Sequence, residues 1–213
     1  MTTEKSNEVE QVSVWDIAVR VFHWSLVLFF TVSYITAEFD ESLHVITGYI
    51  VLALVIFRLV WGLIGTHYAR FGQFLYRFSR VKRYLQSLMR AEPEHYYGHN
   101  PAGGWAVVFM LVMLLLISYT GMEIEAAEGE GLLAQSTVSL VTAAHASDDE
   151  HEDEYENADH EFWEEIHEVL VNIMLAFIVL HIAAVLFSSG LHEENLVRAM
   201  ITGKKKKVAD SMD

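Results

Sequence analysis

The sequence predicts an all-α integral membrane protein. It is a four-helix bundle with both termini cytoplasmic, a basic amphipathic interfacial helix and an acidic periplasmic loop. Three observations carry this. Hydrophobic residues make up 53% of the 213, with a mean hydropathy of +0.26. A soluble domain carries about 45–50%, and the excess here is gathered into four long apolar runs. Lysine and arginine avoid two of the connecting loops altogether. Histidines lie inside the apolar runs, at depths that match one another.

The elements follow in chain order. Residues 1–13, "MTTEKSNEVEQVS", form a polar tail. It lacks a basic region feeding an apolar core, so it does not read as a signal peptide, and the first apolar run is expected to serve as an uncleaved anchor. Residues 14–203 form the membrane domain. Its spans are expected at about 19–37, 43–65, 104–121 and 166–188, each near the roughly 20 residues that cross the hydrocarbon at about 1.5 Å per residue. Strands would leave backbone groups unpaired in lipid, so the spans are helices.

Between spans two and three, residues 70–90 are basic and aromatic. They read as one amphipathic helix on the inner leaflet, tethered to anionic lipid. "GHNPAGG", residues 98–104, reads as a turn followed by a tight helix start. Residues 122–165 hold 15 Asp and Glu and no Lys or Arg. The stretch "HASDDEHEDEYENADHEFWEE" is charged densely enough to be poorly ordered. Residues 204–213 form a basic tail, in which Lys204 to Lys207 read as a positive stop signal.

Charge sets the orientation. Of the 14 Lys and Arg, Arg58 alone lies deep in a span. The rest fall toward the N-terminus, in the loop between spans two and three, or in the C-terminal tail. The loops at 38–42 and 122–165 have none. Basic residues stay in the cytoplasm, so both termini are expected there. A net charge of −15 on a membrane chain argues against nucleic-acid binding. The absence of cysteine excludes disulfides, iron–sulfur clusters, covalently attached haem and thiol nucleophiles.

Of the eleven histidines, His23, His44, His167 and His181 lie in the predicted spans. Ionisable groups at membrane depth default to a functional role, against the plainer reading of a packed interfacial histidine. With the N-terminus inside, His23 and His181 fall at the inner depth, His44 and His167 at the outer. His167 and His181 are fourteen residues apart, about 21 Å along a helix and within roughly 40° of one face.

Facing histidines on neighbouring helices hold a porphyrin iron from both sides without a thiolate. A zinc site would want three or four ligands at one depth. The pairs point to two bis-histidine haems, His23 with His181 and His44 with His167. Gly48, one turn from His44, would let a flat macrocycle approach the backbone. Arg58 would meet a propionate of the inner haem, or else snorkel to inner headgroups. Arg20, one turn before His23, is a similar candidate closer to water. His67, His95, His99 and His192 read as surface or capping histidines at the cytoplasmic side. His145, His151 and His160 either bind transition metal with their acidic neighbours or belong to a solvated acidic loop.

"VWDIAVRVFHW", "LHVITGYIVLALVIFRLVWGLIG", "GHNPAGG", "EIHE…LHIAAVLFSS" and "HEENLVRAMITGKKK" together resemble the bacterial cytochrome b561 family, over about residues 14–207. Relatives of that family include the b-type cytochrome subunits of nickel–iron hydrogenases. The resemblance implies a four-helix protein of the bacterial inner membrane with two b-type haems. Such a protein passes electrons between quinone and a redox partner. The family's ligand pattern falls on His23, His44, His167 and His181. The acidic insertion around 143–161 departs from the pattern.

The expected function is therefore electron transfer between the quinone pool and a periplasmic partner. The acidic loop would attract a basic soluble c-type cytochrome. Rival readings are a hydrogenase cytochrome subunit, a superoxide or quinone oxidoreductase, and a metal-binding transporter or sensor using the His-bearing acidic loop.

Overall fold

A computed structural model describes residues 11–90, 94–134, 152–191 and 194–206. It contains seven α-helices, a single 3-10 turn and two short strands among the described residues. The helices of membrane length are α1 (Ile17–Thr36), α2 (Glu41–Ile64), α5 (Pro101–Ala127) and α6 (Glu152–Leu191). Each carries an apolar window long enough to cross a membrane, and at most 22% of that window is buried within the protein. Val21, Val27 and Leu28 of α1 are exposed, as are Val179, Ile182 and Leu186 of α6. Large apolar side chains facing outward all along a helix are what lipid, not water, accommodates.

The helix ends follow local chemistry. Asp16 caps α1, its Oδ1 accepting from Val19 N at 2.8 Å. Asp40 does the same for α2 through Leu43 N at 3.0 Å. In "GHNPAGG", Asn100 accepts from Gly103 N at 2.7 Å, and Pro101 opens α5. Asn and Asp satisfy the orphan donors of a first turn, and proline at the first helical position lacks the N–H that would be orphaned anyway. Helix α5 thus starts three residues before the expected 104.

Two expectations about the connecting segments are corrected. Residues 70–90 are not one helix. A 3-10 turn (His67–Ala69), α3 (Phe71–Phe74) and α4 (Phe78–Met89) replace it. The break at residues 75–77 is anchored to α5: Trp105 Nε1 donates to Tyr76 O at 2.9 Å. Phe74 O lies so close to Gly104 that an added Cβ would sit 2.3 Å away. Nor is the described part of the acidic stretch unstructured, because α6 starts at Glu152 and carries its helix through the charged residues into the apolar run. His145, His151 and His192 lie outside the described residues.

The chain divides into two compact units. The first comprises Met1–Ser25, Phe57–Val108 and Leu180–Asp213. Val14, Trp15, Val19, Ala69 and Ala199 form its core, with Trp61, Tyr68 and Met200 packed against them. Residues 11–13 and 204–206, which fall within the expected polar and basic tails, pair with each other. Strand β1 (Gln11–Ser13) runs antiparallel to β2 (Lys204–Lys206), with Val12 opposite Lys205. Helix α7 (Leu196–Thr202) leads into β2 through Gly203, whose φ of 81° suits glycine. Lys205 is buried, 3.6 Å from Glu194, which also meets His95 at 3.1 Å. Burial pushes the Lys205 amine down, and the Glu194 carboxylate acts against this. Part of the lysine run is therefore a structural strand.

The second unit comprises Leu26–Ile56 and Phe109–Val179. Its buried apolar residues are Val51, Val55, Leu111, Met113, Leu114 and Met174. Phe109 and Phe177 join α5 to α6 at 4.4 Å between ring centroids.

Candidate functional site

The second unit brings His44 of α2 and His167 of α6 together, with ring centroids 6.2 Å apart and planes at 73°. Each ring is held through Nδ1. His44 Nδ1 lies 2.9 Å from Ser33 O of α1. A carbonyl only accepts, so Nδ1 carries the hydrogen and the lone pair of the neutral ring is on Nε2. His167 Nδ1 lies 2.9 Å from Thr120 Oγ1 of α5, and that hydroxyl donates its own hydrogen to Ile117 O at 3.0 Å. The hydroxyl therefore accepts from His167 Nδ1, which again leaves Nε2 as the basic nitrogen. Fixing one ring nitrogen by a hydrogen bond is how proteins orient an imidazole for a metal on the other.

The spacing suits such a metal. An imidazole nitrogen bonds a first-row metal at about 2.0–2.1 Å, so two rings on opposite sides of one ion have centroids about 6 Å apart. Gly48, one turn along α2 from His44, faces open space, since a Cβ built there meets nothing within 4 Å. A planar group can lie against that backbone. Gly121 serves His167, whose Cε1 would be 3.4 Å from a Cβ at that position.

The first unit holds His23 of α1 and His181 of α6 as electrostatic neighbours. His23 Nδ1 is sealed from solvent and has no hydrogen-bond partner. Arg58 of α2 belongs to the same unit and does not snorkel, being only 2% exposed. Its Nη2 donates to Ala69 O at 3.0 Å, while Nη1 is buried without a partner. The guanidinium lies 5.0 Å from the Phe71 ring centroid. Arg20 is occupied differently: its Nη1 donates to Ile201 O at 2.5 Å, which ties α1 to the end of α7. Only its Nε is buried and unpartnered.

The remaining histidines separate. His67 is exposed beside Tyr68. His95 pairs with Glu194 at 3.1 Å. His160 lies 3.1 Å from Glu128 and 3.9 Å from Glu164. No group of three or more potential ligands is placed to hold a metal ion among the described residues. His99 was expected as a surface or capping histidine and is instead packed among aromatic rings. It packs against Trp15 at 4.7 Å and Phe74 at 4.4 Å, and its Nδ1 is sealed and unpartnered. Burial, then the positive charges of Arg58, Lys205 and His181, push it down to about 3, so it is neutral at ordinary pH.

Ser33, Thr120 and Gly121 were missed. The available signal was a hydroxyl or glycine inside an otherwise apolar run, as in "TVSYIT" and "ISYTG".

Membrane-length helices that present imidazoles in pairs are the marks of a helical membrane cytochrome. The chain belongs to the prokaryotic cytochrome b561 family, whose model matches residues 14–203. It is accordingly a bacterial membrane protein, a b-type cytochrome that binds haem b and takes part in electron transport. No similar curated protein and no similar solved structure was found.

Proposed function

We propose that the chain holds two b-type haems, each between two histidines, and carries electrons between membrane quinone and a periplasmic redox partner. His44 and His167 would ligate one haem, His23 and His181 the other. The observation that carries this is the His44–His167 pair, with both Nδ1 atoms engaged and a centroid separation of 6.2 Å. Gly48 would underlie the macrocycle of that site, and Arg58 would meet a carboxylate of the other. Arg20, through its Nε, is the weaker candidate there, since its Nη1 already serves Ile201. When bound, haem supplies one-electron chemistry at iron. The protein's own part would be to offer two imidazoles to each iron, which would favour electron exchange over the binding of small ligands.

Both termini would be cytoplasmic, and the acidic residues of 122–165 periplasmic. There they would steer a basic partner, such as a c-type cytochrome. The test is a pyridine haemochrome assay with metal analysis on the same purified sample. The expected result is two low-spin b haems per chain and one in His167→Ala. A colourless protein, or loss of both haems in that variant, would overturn the reading.

A further inference from the structure

We propose that His99 and Arg58 together receive one carboxylate of the haem that His23 and His181 would hold, with His99 donating from Nδ1. This deepens the two-haem reading and rests on it. Both residues border the same ring, Phe74: His99 packs on it at 4.4 Å, and the Arg58 guanidinium lies 6.0 Å from its centroid. Both carry a buried nitrogen without a partner, Nδ1 in His99 and Nη1 in Arg58. The charge of Arg58 also acts on His99.

The described carboxylates of the first unit are Asp16, Glu94 and Glu194, and each is hydrogen-bonded elsewhere, Glu94 to the Tyr96 hydroxyl. Asp16 is committed to Val19 N, Trp61 Nε1 and Thr66 Oγ1. Glu194 is shared between Lys205 and His95. Arg58 has one hydrogen-bond acceptor, the neutral Ala69 O, and the Asp16 carboxylate acts on it only through space. A buried guanidinium whose Nη1 has no partner can take a further anion, because a charge only partly compensated in low dielectric is costly. A flat group held between His23 and His181 brings carboxylates into this unit. His181 is itself within electrostatic reach of His99. A neutral imidazole beside Arg58 is suited to the task, because it adds a donor without adding a second buried positive charge.

His99 is thus a positioning residue for the cofactor, not a ligand of the metal. Its loss should leave haem in place and change its potential. A carboxylate with fewer donors presents more negative charge to the iron and favours the ferric state.

The experiment is spectroelectrochemical titration of the full-length, haem-loaded protein in lipid nanodiscs. His99→Met removes the donor at similar bulk, and His99→Gln retains an amide donor. Arg58→Gln is the companion. His99→Met should keep two haems and lower the potential of one, the same haem whose signal is missing from His181→Ala. Arg58→Gln should lower that same haem further, and His99→Gln should lie close to the wild type. Equal potentials in His99→Met and the wild type would overturn the proposal, as would a shift confined to the haem lost in His167→Ala. If His99→Met does not accumulate, an unchanged potential in Arg58→Gln overturns it. A wild-type chain without two haems removes the reading on which it rests, whereas two haems with an indifferent His99 removes this proposal alone.

Discussion

At the scale of single residues, Asp16 shows how one carboxylate can join distant parts of the chain. It caps α1 through Val19 N and accepts from Trp61 Nε1 at 3.1 Å and from the Thr66 hydroxyl. Burial raises its pKa, but the hydrogen bonds from Thr66, Val19, Trp61 and Ala18 outweigh that and hold it below 3.8. A folded pKa below the unfolded one means that the unfolded chain takes up the proton first. The stabilisation is present above the ordinary carboxylate value and is lost as pH falls through the lowered one. Asp16→Ala should therefore cost about 1–3 kcal/mol at neutral pH, combining a lost cap with donors left unpaired. The difference from wild type should shrink as melts are recorded at increasing acidity, and a pH-independent difference would refute the assignment. None of this was legible in "VWDIAVR", because the partners of Asp16 are 45 and 50 residues away. The histidines were legible as candidates because an ionisable residue stands out in an apolar run. Ser33 and Thr120, which orient two of them, do not stand out and had to be located in space.

Among the elements, the membrane-length helices were readable from hydropathy, since nothing but length and apolarity is needed to specify them. The segment at 70–90 was not. Its amphipathic pattern is that of a helix, and α4 keeps that pattern, but the backbone before it is bent against α5 at Gly104. Such a bend depends on a close approach between residues 30 apart in sequence (Phe74 and Gly104) and leaves no periodicity to read. The part of the acidic run from Glu152 onward, expected to be poorly ordered, is helical for a different reason. Charge density argues against an independent fold, yet glutamate is a good helix former, and a run that continues an apolar helix needs no new nucleus.

Two glycines then make opposite predictions. Gly104→Ala puts a methyl 2.3 Å from Phe74 O, a backbone atom that cannot swing aside, so stability should fall by about 1–3 kcal/mol. Gly48→Ala meets nothing within 4 Å, so the haem-free chain should keep its stability or gain up to about 1 kcal/mol in helix propensity. If a macrocycle lies on Gly48, the same change should reduce haem loading. Thermal melts of both variants, with haem content for Gly48→Ala, decide the matter. Undiminished loading in Gly48→Ala would remove Gly48 from the site.

For the whole molecule, the informative quantity is the distribution of charge along the chain. The excess of 29 acidic over 14 basic residues is not spread evenly. The acidic residues concentrate at 122–165, where Lys and Arg are absent, and the basic ones in segments next to the other helix ends. His160 lies against Glu128 and Glu164, and no lysine or arginine ion pair forms in that region among the described residues. Uncompensated like charge destabilises an ordered surface unless it serves association, and a field of one sign raises the encounter rate with an oppositely charged partner. If orientation follows the basic segments, this field faces the periplasm. Single cysteines introduced at the N-terminal and C-terminal ends should then resist an impermeant reagent in intact cells, while one in the acidic stretch should react. Electron exchange with a basic c-type cytochrome should slow steeply as salt rises, since screening shortens the reach of the field to about 10 Å at 0.1 M. Exchange with an acidic redox protein should be slow and quicken with salt. Rates indifferent to ionic strength would mean that the acidic segment is not where the partner docks, and that electrons leave this cytochrome by another face.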